Sequence, residues 1–351
     1  MRHGAWAVRA PRGDGPGVHE LKYVLNGSQF EAEPANYGLE EKRTINPRSV
    51  SLIETKHGNP VAPTPAALRP CPICGSRELA SVFDPIKRCR RCKLGFVNPL
   101  GNYRGEHETE DYFLNDYLPL HLANRESSLA ERRAYLAAMR RRFSLPARPR
   151  LLDVGCALGF MLQEAKLAGW EASGIETSPF AARYSAEHTG CRVYTGTLEN
   201  AALASECFDV VTLMDVIEHV AEPRGLISEI HRILRPGGGL FIVTPNFDSL
   251  FVRLYGLRAY GVWPDQHVVY FQPSSLERLL RDVGFKTVVT GSKDFYAENL
   301  RQLLHRDHQA GSADIKGAFR APTLLGKVRK LVNRLLMVVP VGDKLIAFAQ
   351  K

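Results

Sequence analysis

The stretch Leu151-Leu152-Asp153-Val154-Gly155-Cys156-Ala157-Leu158-Gly159-Phe160 admits few folds. Arg150 to Val154 is the short apolar run of a strand buried within a parallel sheet. Gly155 and Gly159 allow a sharp turn and let a ligand approach with no Cβ in the way. Met161 to Ala168 then carries apolar residues at helical spacing and stops at Gly169. A second strand, Glu171 to Ile175, runs into Glu176, 21 positions after Gly155. In an open α/β sheet that carboxylate stands beside the glycine turn, in reach of a ribose diol. Taken alone, the turn is as well explained as a plain strand–helix connection.

A dinucleotide site wants G-x-G-x-x-G, so that a helix N-terminus meets a pyrophosphate. Here the small residues fall at 155, 157 and 159, and position 161 is Met, so that fingerprint fails. Asp153 ahead of the first glycine suits a ligand with an ammonium group and no phosphate. The stretch resembles motif I of the class I S-adenosylmethionine (SAM) methyltransferases, D-x-G-x-G-x-G. Ala157 departs from it by one methyl, which argues against a glycine-only backbone angle there.

Later segments strengthen the resemblance. Ser178-Pro179 caps a helix, Cys191 to Tyr194 is a third strand, and Phe208 to Met214 a fourth. The fourth runs into Asp215-Val216-Ile217-Glu218-His219-Val220, which matches the E/D-x-x-E-H-V stretch of ubiquinone-biosynthesis-type methyltransferases. A helix over Glu222 to Leu234, the turn Arg235-Pro236-Gly237-Gly238-Gly239 and strand five, Leu240 to Thr244, follow. His267 through Phe271, the capped helix start Ser274-Ser275-Leu276-Glu277, Gly284-Phe285 and a sixth strand to Thr290 are similar to the same group. Val341 to Ala349 resembles its last antiparallel strand, inserted between strands five and six.

The resemblance implies a Rossmann-like α/β fold with a mostly parallel seven-stranded sheet. It also implies a cofactor set. Gly155, Gly159 and the backbone at Cys156 and Ala157 would hold the methionine part of SAM, and Glu176, with Thr177 beside it, the ribose. Thr197 stands where the family usually carries an acid for the adenine, next to Leu198. Met214 and Asp215 close the site, and Asp153 orients the loop.

Ahead of this domain, Cys71-Pro72-Ile73-Cys74 and Cys89-Arg90-Arg91-Cys92 give C-x2-C-x14-C-x2-C. Two such turns point four thiolates at one ion, so the spacing predicts a small N-terminal ribbon with structural Zn²⁺ on Cys71, Cys74, Cys89 and Cys92. Gly75 and Gly95 follow the ligand pairs as turn residues, whereas Cys156, Cys191 and Cys207 read as small apolar spectators. Paired thiols of this kind fit a reducing cytoplasm. The absence of an apolar run of 18 residues or an apolar leader argues against a membrane span and a secretory signal.

The domain reading is 1–69 as a poorly ordered Pro/Gly-rich extension, with a start codon downstream of Met1 as one account of it. Then come 70–100 as the ribbon, 101–148 as a helical cap and 149–351 as the methyltransferase domain, with 292–340 as a helical insertion. The cap carries an aromatic patch (Tyr112, Phe113, Tyr117) and an Arg-rich helix from Ser128 to Phe143. Net charge is +9, and Lys293 to Lys351 holds 11 Lys/Arg against 5 Asp/Glu. Leu324, Val328, Leu331, Leu335 and Val338 share one helical face among basic residues, which predicts a packing helix, or else peripheral membrane contact through 324–340.

The functional reading is SAM-dependent methylation, O-methylation first, of a small hydroxylated metabolite: a sugar, phenol or quinone precursor. A neutral hydroxyl is a poor nucleophile until its proton leaves, and imidazole has the ordinary pKa for that task. His267 and His219 are therefore the candidate bases, His267 preferred for its loop position. A divalent ion on Glu218 and His219 is set lower, because neighbours on a helix point apart. The rivals are an RNA methyltransferase using the ribbon to bind nucleic acid, and a non-catalytic adaptor on the same fold.

Overall fold

The computed structural model of the chain describes residues 24–25, 28–29, 68–100, 110–296, 332 and 334–351. The chain divides into two units, Met1–Ala62 and Pro63–Lys351. The described part of the first is a pair of short antiparallel strands, β1 (Val24–Leu25) and β2 (Ser28–Gln29). Most of the 1–69 extension lies outside the described residues.

The second unit opens with the ribbon, an antiparallel meander of β3 (Leu79–Phe83), β4 (Ile86–Cys89) and β5 (Gly95–Val97). Residues 101–109 of the expected cap lie outside the described residues. The rest of it is α1 (Glu110–Tyr112), one π-helical turn (Phe113–Tyr117), α2 (Leu118–Ala123) and α3 (Arg125–Arg142). Leu129, Tyr135, Leu136 and Met139 form the buried stripe of α3. Arg125 and Arg133 tie its outer face to Gln163 and the buried Glu164, at 2.9 and 3.0 Å.

Strands and helices then alternate: β6 (Arg150–Val154), α4 (Phe160–Leu167), β7 (Glu171–Glu176), α5 (Pro179–Thr189), β8 (Arg192–Thr195), β9 (Phe208–Met214), α6 (Pro223–Ile233) and β10 (Leu234–Pro245). After α7 (Leu250–Tyr255) come β11 (Val269–Tyr270), α8 (Pro273–Val283), β12 (Thr287–Lys293) and β13 (Lys344–Gln350). The main sheet has seven strands in the order β12-β13-β10-β9-β6-β7-β8. Strands β10 to β8 of that order run parallel, and β13 lies antiparallel between β10 and β12. The order reverses at β6, which sits between β9 and β7, and that is where an open α/β sheet leaves a crevice at its carboxyl edge.

Local chemistry shifts some expected boundaries. Pro273, with its fixed φ, takes the first helical position of α8, so Gln272 is the cap in place of Ser274. Ser275 then falls at the third position, and its hydroxyl accepts the Gln272 N–H at 3.0 Å. The Arg235–Gly239 turn is an irregular part of β10, whose register against β9 shifts between Leu234 and Gly239. The sixth strand of the sequence reading runs on to Lys293 as β12, because it pairs with β13 over its whole length.

Of the insertion's expected packing face, Leu324, Val328 and Leu331 lie outside the described residues. Leu335 and Val338 are exposed, and it is Leu336, between them, that is buried. The chain turns here, and the Leu336 carbonyl accepts the Ser292 hydroxyl at 3.1 Å, which aims this side of the turn at β12.

Candidate active site

The turn after β6 is built as its residues require. Gly155 N–H and Cys156 N–H both donate to Ile175 O, and Cys156 O accepts from Gly159 N–H. The Cys156 N–H is thus used inside the turn, and its carbonyl accepts one bond there. Gly159 has φ +78°, and a Cβ there would overlap the Ser185 hydroxyl on α5. Ala157 has φ +45°, so the left-handed angle is kept in spite of the methyl. Its compensation is local: Ala157 N–H donates to Glu176 Oε2 at 2.9 Å.

Glu176 ends β7 and is buried. Its Oε1 accepts Ser178 N–H at 3.0 Å and the Thr177 hydroxyl at 3.4 Å. Burial pushes its pKa up, against these hydrogen bonds. The Ser178 and Thr177 donors fill Oε1, while Oε2, which accepts Ala157 N–H, keeps a lone pair for a ligand hydroxyl. Asp153 is fully buried beneath the turn and accepts the Thr212 hydroxyl at 2.5 Å. Burial raises its pKa to about 7, with Thr212 and Arg132 opposing. It braces β6 against β9 from within the core. Leu198 is buried; Thr197 is exposed and bonded to Asn200 at 2.6 Å, and Met214 is half-buried.

Sequence reasoning missed the wall contributed by α3 and the termini of β12 and β13. Arg132 and Glu131 pair at 2.7 Å, Lys293 reaches Glu131 at 2.6 Å and the Tyr135 hydroxyl at 3.0 Å, and Arg132 lies within the field of Asp215 and Asp153. Burial acts to lower the Lys344 pKa, but the charges of Asp215 and Glu131 outweigh it and raise the value. Tyr117 stacks on His121 at 4.0 Å in the same region, and burial, with Arg132, lowers His121 to about 4. Arg132 is one of six arginines in α3. Nothing in the sequence separates it from the others, because helix docking alone selects which of them turns inward.

At the end of β9, Asp215 takes φ +54° and the chain enters a 3₁₀ turn, Ile217–His219. That turn removes the objection to neighbouring ligands. Glu218, His219 and His267 each present a ligand atom, all within 4.8 Å of one another. His219 Nδ1 lies 2.9 Å from Gln266 O, and His267 Nδ1 lies 3.0 Å from Gly261 O. A carbonyl only accepts, so each neutral ring carries its proton on Nδ1 and its lone pair on Nε2. The rings meet edge to face at 4.9 Å. Glu218 is buried, accepts the Thr244 hydroxyl at 2.8 Å, and is held up to about 8 by burial and then by Asp215. Trp263 stands 5.1 Å from His267, and Tyr260 bridges Trp263 and Tyr296 at 4.8 Å to each. The result is an aromatic wall beside two imidazoles.

In the ribbon, Cys71 and Cys92 sulfurs lie 3.4 Å apart, Cys74 and Cys89 3.5 Å, and all four fall within 4.8 Å. Tetrahedral Zn–S bonds of about 2.3 Å place sulfurs about 3.8 Å apart, so the donor set fits. A hydrogen bond from Cys92 draws the Cys71 thiol down to about 5. The two knuckles are matched by Gly75 N–H to Cys71 O and Lys93 N–H to Cys89 O. Lys93, at φ +67°, holds the second turn in place of Gly95, which instead begins β5.

A family model described as a methyltransferase domain matches residues 125–290. A ubiquinone biosynthesis O-methyltransferase of Cereibacter sphaeroides is 32% identical over 225 residues, covering 60% of this chain and 86% of that one. An Aromatoleum aromaticum protein of the same name is 31% identical over 150 residues, 39% of this chain, and the match spans 64% of its length. Among solved structures, a SAM-dependent methyltransferase of Thermotoga maritima is 21% identical and covers 69% of this chain and 97% of that one, with a TM-score of 0.47.

Proposed function

This chain belongs to the SAM-dependent methyltransferases, and from that premise we propose that it methylates a hydroxyl on a small aromatic acceptor, a phenol or quinone precursor. The observation that carries the reading is the pairing of His219 and His267, both with Nδ1 on a main-chain carbonyl, beside Tyr260, Trp263 and Tyr296. Bound SAM supplies an electrophilic methyl on sulfonium sulfur. The residues then bind, orient and move one proton. Glu176 accepts from the ribose hydroxyls; Ala157, Gly155 and Gly159 leave room for the methionine part; Arg132 is the cation for its carboxylate. The aromatic wall would set the acceptor ring, and an Nε2 lone pair would take the hydroxyl proton as the oxygen is methylated. The names of the relatives support oxygen as the acceptor atom.

Glu218, His219 and His267 also make a carboxylate-and-imidazole donor set for a divalent cation, which would lower the acceptor's pKa directly. Dialysis against a chelator separates the two modes. Loss of turnover that Mg²⁺ or Mn²⁺ restores, in protein whose ribbon zinc is shown by metal analysis to be retained, assigns the histidines as ligands, and full turnover in such protein assigns them as bases. The proposed structural Zn²⁺ sits apart on Cys71, Cys74, Cys89 and Cys92.

Replacing Glu176 with Ala removes an acceptor for the ribose diol. SAM affinity by calorimetry is expected to fall about 10- to 100-fold, from charge-assisted hydrogen bonds of about 1.5–3 kcal/mol. Equal affinity in both proteins would remove Glu176 from the site.

A further inference from the structure

The ribbon sheet does not end with the ribbon. Its four strands run β11-β5-β4-β3, and β11 is the pair of residues Val269–Tyr270, two positions after His267. Val269 faces Phe96 and Tyr270 faces Gly95 across an antiparallel ladder. Val97 N–H donates to Val268 O at 3.0 Å, and Val268 N–H donates to Glu218 O at 2.9 Å. The main chain beside His267 is therefore tied on one side to the ribbon and on the other to the Glu218–His219 turn.

A second tether grips the far side of that turn. Arg224, at the start of α6, donates twice from its guanidinium to Ile73 O, at 3.1 and 2.7 Å, inside the Cys71–Cys74 knuckle. Arg69 donates to Ala221 O at 3.2 Å. The cores are shared as well. Cys71, Cys89, Leu94 and Phe96 pack in one cluster with Ile217, Val268 and Val269. Gly95 is required where it stands, since a Cβ there would come within 2.7 Å of the Phe247 ring. A two-residue strand has no stability of its own, and a ribbon this small takes most of its order from metal.

Resting on the acceptor-site reading of His267, we infer that the Cys₄ ribbon positions this site: metal-dependent order in the ribbon fixes His267 against Glu218 and His219. It is part of the acceptor pocket's frame, not a separate recognition module. Phe96, Val97 and Arg224 are positioning residues that act through His267 and Glu218.

Hydrogen exchange on the full chain tests this without an acceptor. With zinc stripped by a chelator, amide protection over 266–271 is expected to fall about tenfold or more, while 150–176 keeps its protection and SAM affinity changes less than about twofold. Arg224→Ala, which leaves all four thiols in place, is expected to give a smaller loss over the same segment, and Arg224→Lys to restore part of it. The His267 ring signals in ¹⁵N-histidine spectra should shift in step. Unchanged protection over 266–271 in both the stripped protein and Arg224→Ala overturns the inference. So does a loss spread equally over 150–176, which makes the ribbon a general stabiliser. Full turnover in His267→Ala would strike the acceptor-site reading and leave the exchange result standing, so the two failures are distinct.

Discussion

His219→Ala and His267→Ala are each expected to keep the SAM affinity of the parent protein, and at least one is expected to lose turnover by about 10²–10⁴-fold, the usual worth of a positioned acid–base group. The reason lies in how the rings are held. Gln266 O and Gly261 O each accept from Nδ1, which leaves Nε2 as the basic nitrogen of each neutral ring. Both of these bonds are to main-chain carbonyls, away from the glycine turn after β6. Calorimetry with SAM and initial rates with a responsive phenolic acceptor read the two effects separately. Wild-type rates in both variants would mean that holding oxygen, carbon and sulfur in line is enough, and would reassign the histidines to structure.

Cys92→Ser is expected to have the other large effect. Cys92 is buried, and its sulfur is 3.4 Å from that of Cys71. With three thiolates the proposed zinc site would lose much of a metal contribution that reaches roughly 10–16 kcal/mol in small zinc folds. The same core holds Ile217 and Val268, so the damage is expected to reach the acceptor site and lower soluble yield. Metal analysis should find one zinc per chain in the parent protein and a deficit in the variant. Correctly folded parent protein with no zinc would refute the metal site. Cys191→Ser serves as the control, since its sulfur lies far from this cluster in sequence and outside the four-thiol group.

The order of elements was legible because the signals are local. A β-strand, a glycine turn and a capped helix are written in consecutive residues, and the C-x2-C pairs likewise. Glu176 ends β7, Cys89 ends β4, Asp153 is one residue inside the end of β6, and Cys71, Cys74 and Cys92 lie in the turns of their pairs, so local spacing finds them. The missed residues are those set by docking. Arg132 and Lys344 come to one side of the candidate site from α3 and β13, elements separated by some two hundred residues of chain, and Arg133 beside Arg132 is equally basic. The objection to Glu218 and His219 as joint ligands assumed an α-helical turn; the 3₁₀ turn after the strained Asp215 is a tertiary outcome. Pairing of β11 with β5 joins residues more than 170 apart and has no trace in either short segment.

The measurement closest to the central claim follows the methyl group itself. The chain is incubated with methyl-labelled SAM and a fractionated cell extract, and the labelled product is identified by mass spectrometry. Label is expected in a methoxy group on a small aromatic compound, with the parent protein and not with the His219→Ala, His267→Ala double variant. Label in RNA, or on nitrogen or carbon of a small molecule, would contradict it.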